Sequence, residues 1–391
     1  MELQLERVAS LEQVEPAAWN ALAGDNPFLK HEFLVALEHS GCIGPGTAWQ
    51  PSYLIARDAA GVAGALPLYL KYDSRGEFVF DWSWADAYER AGRAYYPKLV
   101  ASVPFTPATG ERFLARPGTD VAAVTERLIR GARAAAIELG ASSLHVLFPS
   151  EPQRSLLDRE GFLSRKSCQF HWHNDGYATF DDFLGRFSSA KRKKARRERR
   201  RVSDAAIGFE QLRGDQPNAA EWDAIFEFHA HTFLRRGREP YLNRAFFAEI
   251  ATTMPGNIVI LLARRERTPI AAAICFRGGS TLYGRYWGSL ADHHSLHFEA
   301  CYYQGIDYCI REGLKTFEPG TQGEHKISRG FTPQATWSSH WLRDPEFHRA
   351  VADFLARETL HVDAYMEALD EHAPYRREET PATIEIEAGG A

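Results

Sequence analysis

Residues 317–330, FEPGTQGEHKISRG, set Glu318, Glu324, His325, Lys326 and Arg329 in a glycine-bearing loop directly behind a short apolar run. Moving an acyl group onto an amine requires a neutral amine, a polarised carbonyl and a protonated leaving group. Glu318 or His325 suits the base, and Lys326 with Arg329 suits anion contacts, which makes Glu318, His325 and Lys326 the catalytic candidates and Glu324 a substrate contact. The competing reading is a polar surface loop with a few ion pairs. Arg285 lies between aromatic neighbours in LYGRYWG, where a buried guanidinium must face a carboxylate, such as Glu318 or Glu299, or else a ligand. Tyr286 accompanies it as a substrate candidate. His297, Cys301 and Gln304 fall on one helix face at i, i+4 and i+7. Packing explains that row as readily as substrate contact does, and no nearby cation marks Cys301 as a nucleophile.

The first half carries a second cluster, in which Asp81, Trp82, Trp84, Asp86, Tyr95, Tyr96 and Lys98 combine aromatic faces with charge. Such a set can stack on a flat or sugar-like ligand, with Lys98 on a phosphate, or it can pack one domain against another. Between the halves, Lys191, Arg192, Lys193, Lys194, Arg196, Arg197, Arg199, Arg200 and Arg201 surround a single acid. That run reads as a polyanion contact, to tRNA or to anionic lipid, or as a solvated helix face.

These residues need elements to hold them. Ser52–Arg57 and Val62–Lys71 predict a hairpin, followed by a strand over Glu77–Asp81 and a helix over Trp82–Leu99. A helix over Asp120–Leu139 stops at Gly140, and strands over Leu144–Phe148 and Ser167–His173 flank a short helix. Phe180–Ser203, acidic at its start and basic later, predicts one helix suited to the helix dipole. The second half repeats the order. Helices over Trp222–Arg235 and Arg244–Thr252 precede a meander of Asn257–Ala263, Ile270–Phe276 and Thr281–Gly288. A helix over Leu296–Glu312 leads to a strand over Lys315–Glu318, and a strand over Ala335–Leu342 precedes a final helix, Pro345–Leu369. The expected class is α/β (α+β), divided into 1–178, a basic helical arm at 179–205, and 206–391.

Hydrophobic residues at 45% and charged residues at 25% suit folded domains and exclude a disordered chain. The 5 cysteines are scattered without zinc spacing, so reduced thiols and no metal are expected. An acidic start and the lack of a long apolar run predict a cytoplasmic protein, with peripheral contact at the inner membrane face as an extension. The net charge of −5 conceals segregation: nine bases and one acid give residues 191–201 a charge of +8, leaving −13 elsewhere.

Long strings carry a resemblance. NPFLKHEFLVALEHSG, FVFDWSWADAYERAGRAYYPKL, VPFTPATGERFL, CQFHWHNDGY, LYGRYWGS, LHFEACYYQGIDYCIREGL and FEPGTQGEHKISRGF are similar to the FemAB-like family of predicted N-acyltransferases, also labelled peptidoglycan biosynthesis and recognition proteins. The resemblance spans Asn26 to Arg376. It implies two tandem acetyltransferase-like (GNAT) modules and an activated acyl donor as co-substrate, with no tightly bound cofactor. The donor would be aminoacyl-tRNA, acyl-CoA or acyl carrier protein, and the acceptor an amine, such as that of a cell-wall precursor. One departure stands out: the junction SLADHHS lacks the glycines with which coenzyme A enzymes usually hold pyrophosphate at a helix N-terminus. Two other functions remain open, a non-catalytic module recognising peptidoglycan precursor or nucleic acid, and fatty-acyl transfer to a lipid amine at a membrane surface.

Overall fold

The computed structural model describes residues 3–321 and 323–376; the tail of the expected third segment, 377–391, lies outside the described residues. Among the described residues, fifteen strands form two sheets. They are β1 (Gln4–Val8), β2 (Trp49–Pro51), β3 (Tyr53–Asp58), β4 (Gly61–Leu66), β5 (Leu68–Lys71), β6 (Lys98–Ala101), β7 (Leu114–Ala115), β8 (Ser143–Leu147), β9 (Leu163–His173), β10 (Ile207–Arg213), β11 (Ile258–Arg265), β12 (Thr268–Gly278), β13 (Thr281–Ser289), β14 (Thr316–Glu318) and β15 (Thr332–Leu342). The smaller sheet runs β1-β3-β4-β7, and the larger β10-β11-β12-β13-β14-β9-β15-β8-β6-β5-β2.

One unit appears twice. In the first half β6 pairs with β8 in parallel, and the crossover between them contains helix Val121–Glu138. In the second half β13 pairs with β14 in parallel across a helical crossover of Leu296–Phe298, a π turn at Glu299–Tyr303, and Gln304–Glu312. The architecture is mixed α/β, with this strand–helix–strand unit once in each half. The halves join within the larger sheet: β9 lies between β14 and β15, and β15 pairs onward with β8. Hydrophobic burial also ties the halves, because Phe28 and Phe33 of the first pack edge-on against Phe276, Tyr283 and Phe246 of the second.

Several elements differ from the sequence reading, each for a local reason. Glu77–Asp81 is no strand, since Gly76 and Phe78 take positive φ of 79° and 60° and turn the chain. The helix expected over Trp82–Leu99 ends at Arg90, ahead of Gly92 at φ 68°, and Lys98 instead opens β6. The helix expected over Phe180–Ser203 is two, Phe180–Gly185 and Ser189–Asp204, with Phe187 buried in the break. The first is closed by a capping box between Thr179 and Asp182. Four further strands, β1, β2, β7 and β10, have no counterpart in the sequence reading.

Candidate active site at the splayed strands

The site begins where two parallel strands part. β13 and β14 share only Thr281–Thr316, Leu282–Phe317 and Tyr283–Glu318 as partners, after which β13 continues beside β12 while the chain beyond Glu318 turns away through Pro319 and Gly320. Just past the last shared pair, Ile274 faces Tyr286 and Cys275 faces Gly284, so Arg285 is the extra residue of a bulge. Bulges bend a strand and re-aim a side chain. Gly284 permits the close approach, because a Cβ there would lie 3.2 Å from both the Phe317 ring and the Pro319 Cα.

Side-chain alternation then sorts the loop residues. Phe317 points to the crossover helix, where a Cβ on Gly305 would meet its ring at 2.4 Å. Glu318 therefore points to the opposite face, towards the first half. Its charged neighbours there are Arg285 and Arg112, and no hydrogen-bond or ion-pair partner of its carboxylate occurs among the described residues. Burial pushes the carboxyl up to about 8, with the two guanidiniums opposing. Arg285 donates to the Phe105 carbonyl, sits 5.8 Å from the Phe78 ring and 5.4 Å from the Tyr286 ring, and leaves its Nε without a partner. Arg112, fully enclosed, donates to the Leu147, Glu111 and Ala108 carbonyls, and burial lowers its guanidinium to about 10.

Lys326 and His325 lie with the crossover helix. The Lys326 amine, on a residue only 2% exposed, donates to the Gly320 carbonyl at 2.6 Å and sits 5.8 Å from the Phe170 ring. Burial lowers it to about 7, and Cys301 is the neighbour that opposes the shift. Tyr302 Oη lies 2.7 Å from His325 Nε2, and burial followed by the charges of Arg329 and Lys326 lowers that imidazole. His297 completes a ring cluster with Trp287, Tyr302 and His325, and burial lowers it to about 4. The structure thus brings His325, Lys326 and His297 together and sets Glu318 on the other face of the sheet. Gly320, at φ 97°, lies in the sequence segment between Glu318 and His325, and its carbonyl accepts from Lys326. A cavity of about 240 Å³ adjoins this segment, lined by Thr321, Gln169, Thr336, Ser338, Phe148 and Phe78, the last also facing Arg285. Neither Glu318, His325 nor Lys326 lines it, so the single cleft around all three that the sequence suggested is replaced by two half-sites.

Other sequence candidates fall elsewhere. Arg329 is not open to a substrate anion, because an internal carboxylate occupies it: its guanidinium takes Glu198 at 2.7 and 3.1 Å and the His325 carbonyl at 2.6 Å. Glu324 accepts from Tyr365 Oη. Tyr286 packs against His229 and Phe247. Glu299 accepts from Arg199 and Gln304 through one oxygen, and with them and Arg200 lines a polar pocket of about 330 Å³. The first-half cluster proves internal. Because Lys98 opens a buried strand, its amine is enclosed by Ser74, Glu77 and Asp81 at 2.8, 2.9 and 2.5 Å and presents nothing to a phosphate. Tyr96 Oη lies 2.8 Å from Ser74 Oγ, and Trp84, 4% exposed, packs edge-on against His340.

The basic run lies on helix Ser189–Asp204, which buries Ala195, Glu198 and Val202. Arg196 pairs with Asp181, Arg199 with Glu299, and Arg201 with His294. Lys193, Lys194, Arg197 and Arg200 are exposed without an ion-pair partner among the described residues, and Lys191 and Arg192 are half-buried. Two residues that matter here escaped the sequence reading, Arg112 and Glu198. Nothing in VPFTPATGERFL singles out Arg112, whereas one acid among nine bases was a readable sign that Glu198 turns inward. No helix among the described residues is long and apolar enough to cross a membrane.

Solved structures share this fold at low identity. FemX matches with a TM-score of 0.55 at 11% identity, covering 90% of this chain and 100% of that one. The C-terminal domain of a putative lysylphosphatidylglycerol synthetase from Agrobacterium fabrum matches at 0.53 and 11%, covering 88% and 96%. L-PGS from Bacillus licheniformis matches at 0.51 and 10%, covering 85% and 98%. A search of curated protein sequences gives no match. A family model matches residues 10–377, and the chain belongs to the FemAB-like family, described as peptidoglycan biosynthesis/recognition.

Proposed function

We propose that this chain is an N-acyltransferase whose two half-sites, Lys326 on one face of β14 and Glu318 on the other, meet one substrate when the Lys326 amine leaves the Gly320 carbonyl. The observation that carries the reading is the placement of two enclosed titratable groups on either side of Gly320: Lys326 with its amine on the Gly320 carbonyl, lowered to about 7 by burial, and Glu318 beside Arg285 and Arg112, raised to about 8 by burial. Both are poised near neutrality, where proton transfer by a fixed side chain is most effective. Neutral Lys326 takes a proton from the acceptor ammonium, and the freed amine attacks the acyl carbonyl. The unpartnered Nε of Arg285 supports a role in polarising that carbonyl. Protonated Glu318 gives its proton to the departing oxygen or sulfur as the bond to the acyl carbon breaks. One amide bond forms, one ester or thioester bond is lost, and a proton leaves to solvent as the two groups reset.

Of the donors, aminoacyl-tRNA fits best. The junction before the crossover helix places Asp292, paired with Arg235, and Ser295 at φ 70° where a glycine-rich pyrophosphate loop would be needed. The free cations of Ser189–Asp204 suit a phosphodiester chain, and the family suggests a cell-wall precursor amine as acceptor. The division at 1–178, 179–205 and 206–391 belongs to the same proposal. Incubation with aminoacyl-tRNA, acyl-CoA and acyl carrier protein in turn, with a peptidoglycan-precursor amine present, is read by mass spectrometry. A product heavier by one acyl group is expected from the first donor, and no acylated product from any of the three overturns the proposal.

A further inference from the structure

We propose that Glu198 and Arg329 are positioning residues for Lys326, forming a clamp that ties the basic helix to the catalytic loop; this rests on the reading of Lys326 as the base. Glu198 is the single acid within residues 191–201, and it is 6% exposed on a helix whose Lys193, Lys194, Arg197 and Arg200 are exposed. Its carboxylate takes Arg329 Nη2 at 2.7 Å, Arg329 Nε at 3.1 Å and Tyr303 Oη at 2.6 Å. The remaining arm of Arg329 donates to the carbonyl of His325, the residue that immediately precedes Lys326. The guanidinium lies 3.4 Å from the Phe298 ring centre, so its plane is held as well as its hydrogen bonds. A planar fork can serve both acceptors at once, which a lysine ammonium in that place cannot do with the same geometry.

The π turn makes the arrangement two-sided. Tyr302 and Tyr303 are consecutive, so their side chains diverge around the helix, and one hydroxyl meets His325 Nε2 while the other meets Glu198. Arg199, next to Glu198, bonds Glu299 at the start of the same turn. Single-turn π insertions recur at functional sites, and here the insertion lets one short segment grip both the loop and the basic helix. The loop itself is built to be held. It is bracketed by Gly323 at φ 114° and Gly330 at φ 93°, and a Cβ on Gly330 would come within 2.6 Å of the Phe183 ring. Anything that displaces the basic helix therefore moves Glu198, then Arg329, then the backbone that carries Lys326.

The test needs no substrate. The carbon-13 shift of the Lys326 Cε in the full chain, assigned by its loss in Lys326→Arg, is followed against pH. The clamp predicts a wild-type midpoint of about 7. In Glu198→Gln and Arg329→Lys the midpoint rises by about one pH unit or more, as the freed loop lets water reach the amine. Tyr303→Phe removes one donor to Glu198 without stranding a charge; it should shift the midpoint the same way and decides the matter if the first two variants do not fold. Midpoints unchanged in all the variants that retain the wild-type urea transition overturn the clamp. A wild-type midpoint in the ordinary lysine range instead overturns the reading of Lys326 on which the clamp rests, so the two failures are distinct.

Discussion

Replacing Lys326 by methionine should make the stability of this protein change sign with pH relative to wild type. A lysine amine ordinarily titrates at 10.5, and in this site it is lowered to about 7, chiefly by burial. Between those values the unfolded chain holds a proton that the folded chain has released, so this group makes stability rise with pH across that window. The contribution is fully present above 10.5 and is lost as pH falls through about 7. At roughly 1.36 kcal/mol per pH unit, the whole span amounts to at most about 5 kcal/mol. Lys326→Met removes that titration but leaves the Gly320 carbonyl without its donor, at a cost of about 1–3 kcal/mol. The variant should thus be as stable as wild type or more so near pH 6.5, and less stable at about pH 10. Urea unfolding of both proteins at matched pH values gives the difference directly, because other titrations largely cancel. A difference that stays constant over that range refutes the burial argument for Lys326.

Four further outcomes follow from the geometry. Glu318→Gln should lower transfer by about 10²–10⁴-fold without lowering the urea midpoint at pH 7, since the carboxylate makes no hydrogen bond among the described residues and the substitution removes a group whose burial costs stability as pH rises through about 8. Lys98→Met should destabilise the fold by about 3–5 kcal/mol, measured by urea unfolding, because Asp81 and Glu77 stay buried without their cation, and should do so without changing substrate KM. Gly288→Ala puts a Cβ 1.7 Å from the Phe228 carbonyl oxygen and must push helix Ala219–Leu234 off β13, which a thermal melt should register as a loss of about 1–3 kcal/mol or more. Changing Lys193, Lys194, Arg197 and Arg200 together to Gln should reduce the slope of log affinity for RNA against log salt by about 0.7 per lost contact, and an unchanged slope removes the helix from the polyanion account.

What the sequence made legible follows from how locally each feature is encoded. The second-half meander and its crossover helix were readable because apolar runs separated by RRERTP and RGGS leave little freedom of register. Positive-φ positions such as Phe78 and the break at Phe187 were not, because a phenylalanine carries no turn signal and its conformation is imposed by what it packs against. The pairing of β9 with β14 and β15, and of β15 with β8, is long-range, and no local pattern records it. For the site, residue type sufficed to place Glu318, His325 and Lys326 in one loop, but strand alternation at Phe317 decided that Glu318 faces away from the other two. Arg329 looked like an anion ligand only because Glu198, far away in sequence, was hidden inside a basic run. The inward turn of Lys98 depended on where a helix stopped, and boundaries are the least local of these signals.

The most direct test of the acyl-transfer account is the pH dependence of kcat/KM for the wild-type chain with its donor and an amine acceptor. A base that must be neutral above about 7 and an acid that must stay protonated below about 8 give a narrow bell with its maximum between those values. Lys326→Ala should erase the ascending limb and Glu318→Gln the descending one. A profile flat through this range, or limbs that persist in both variants, would contradict the account.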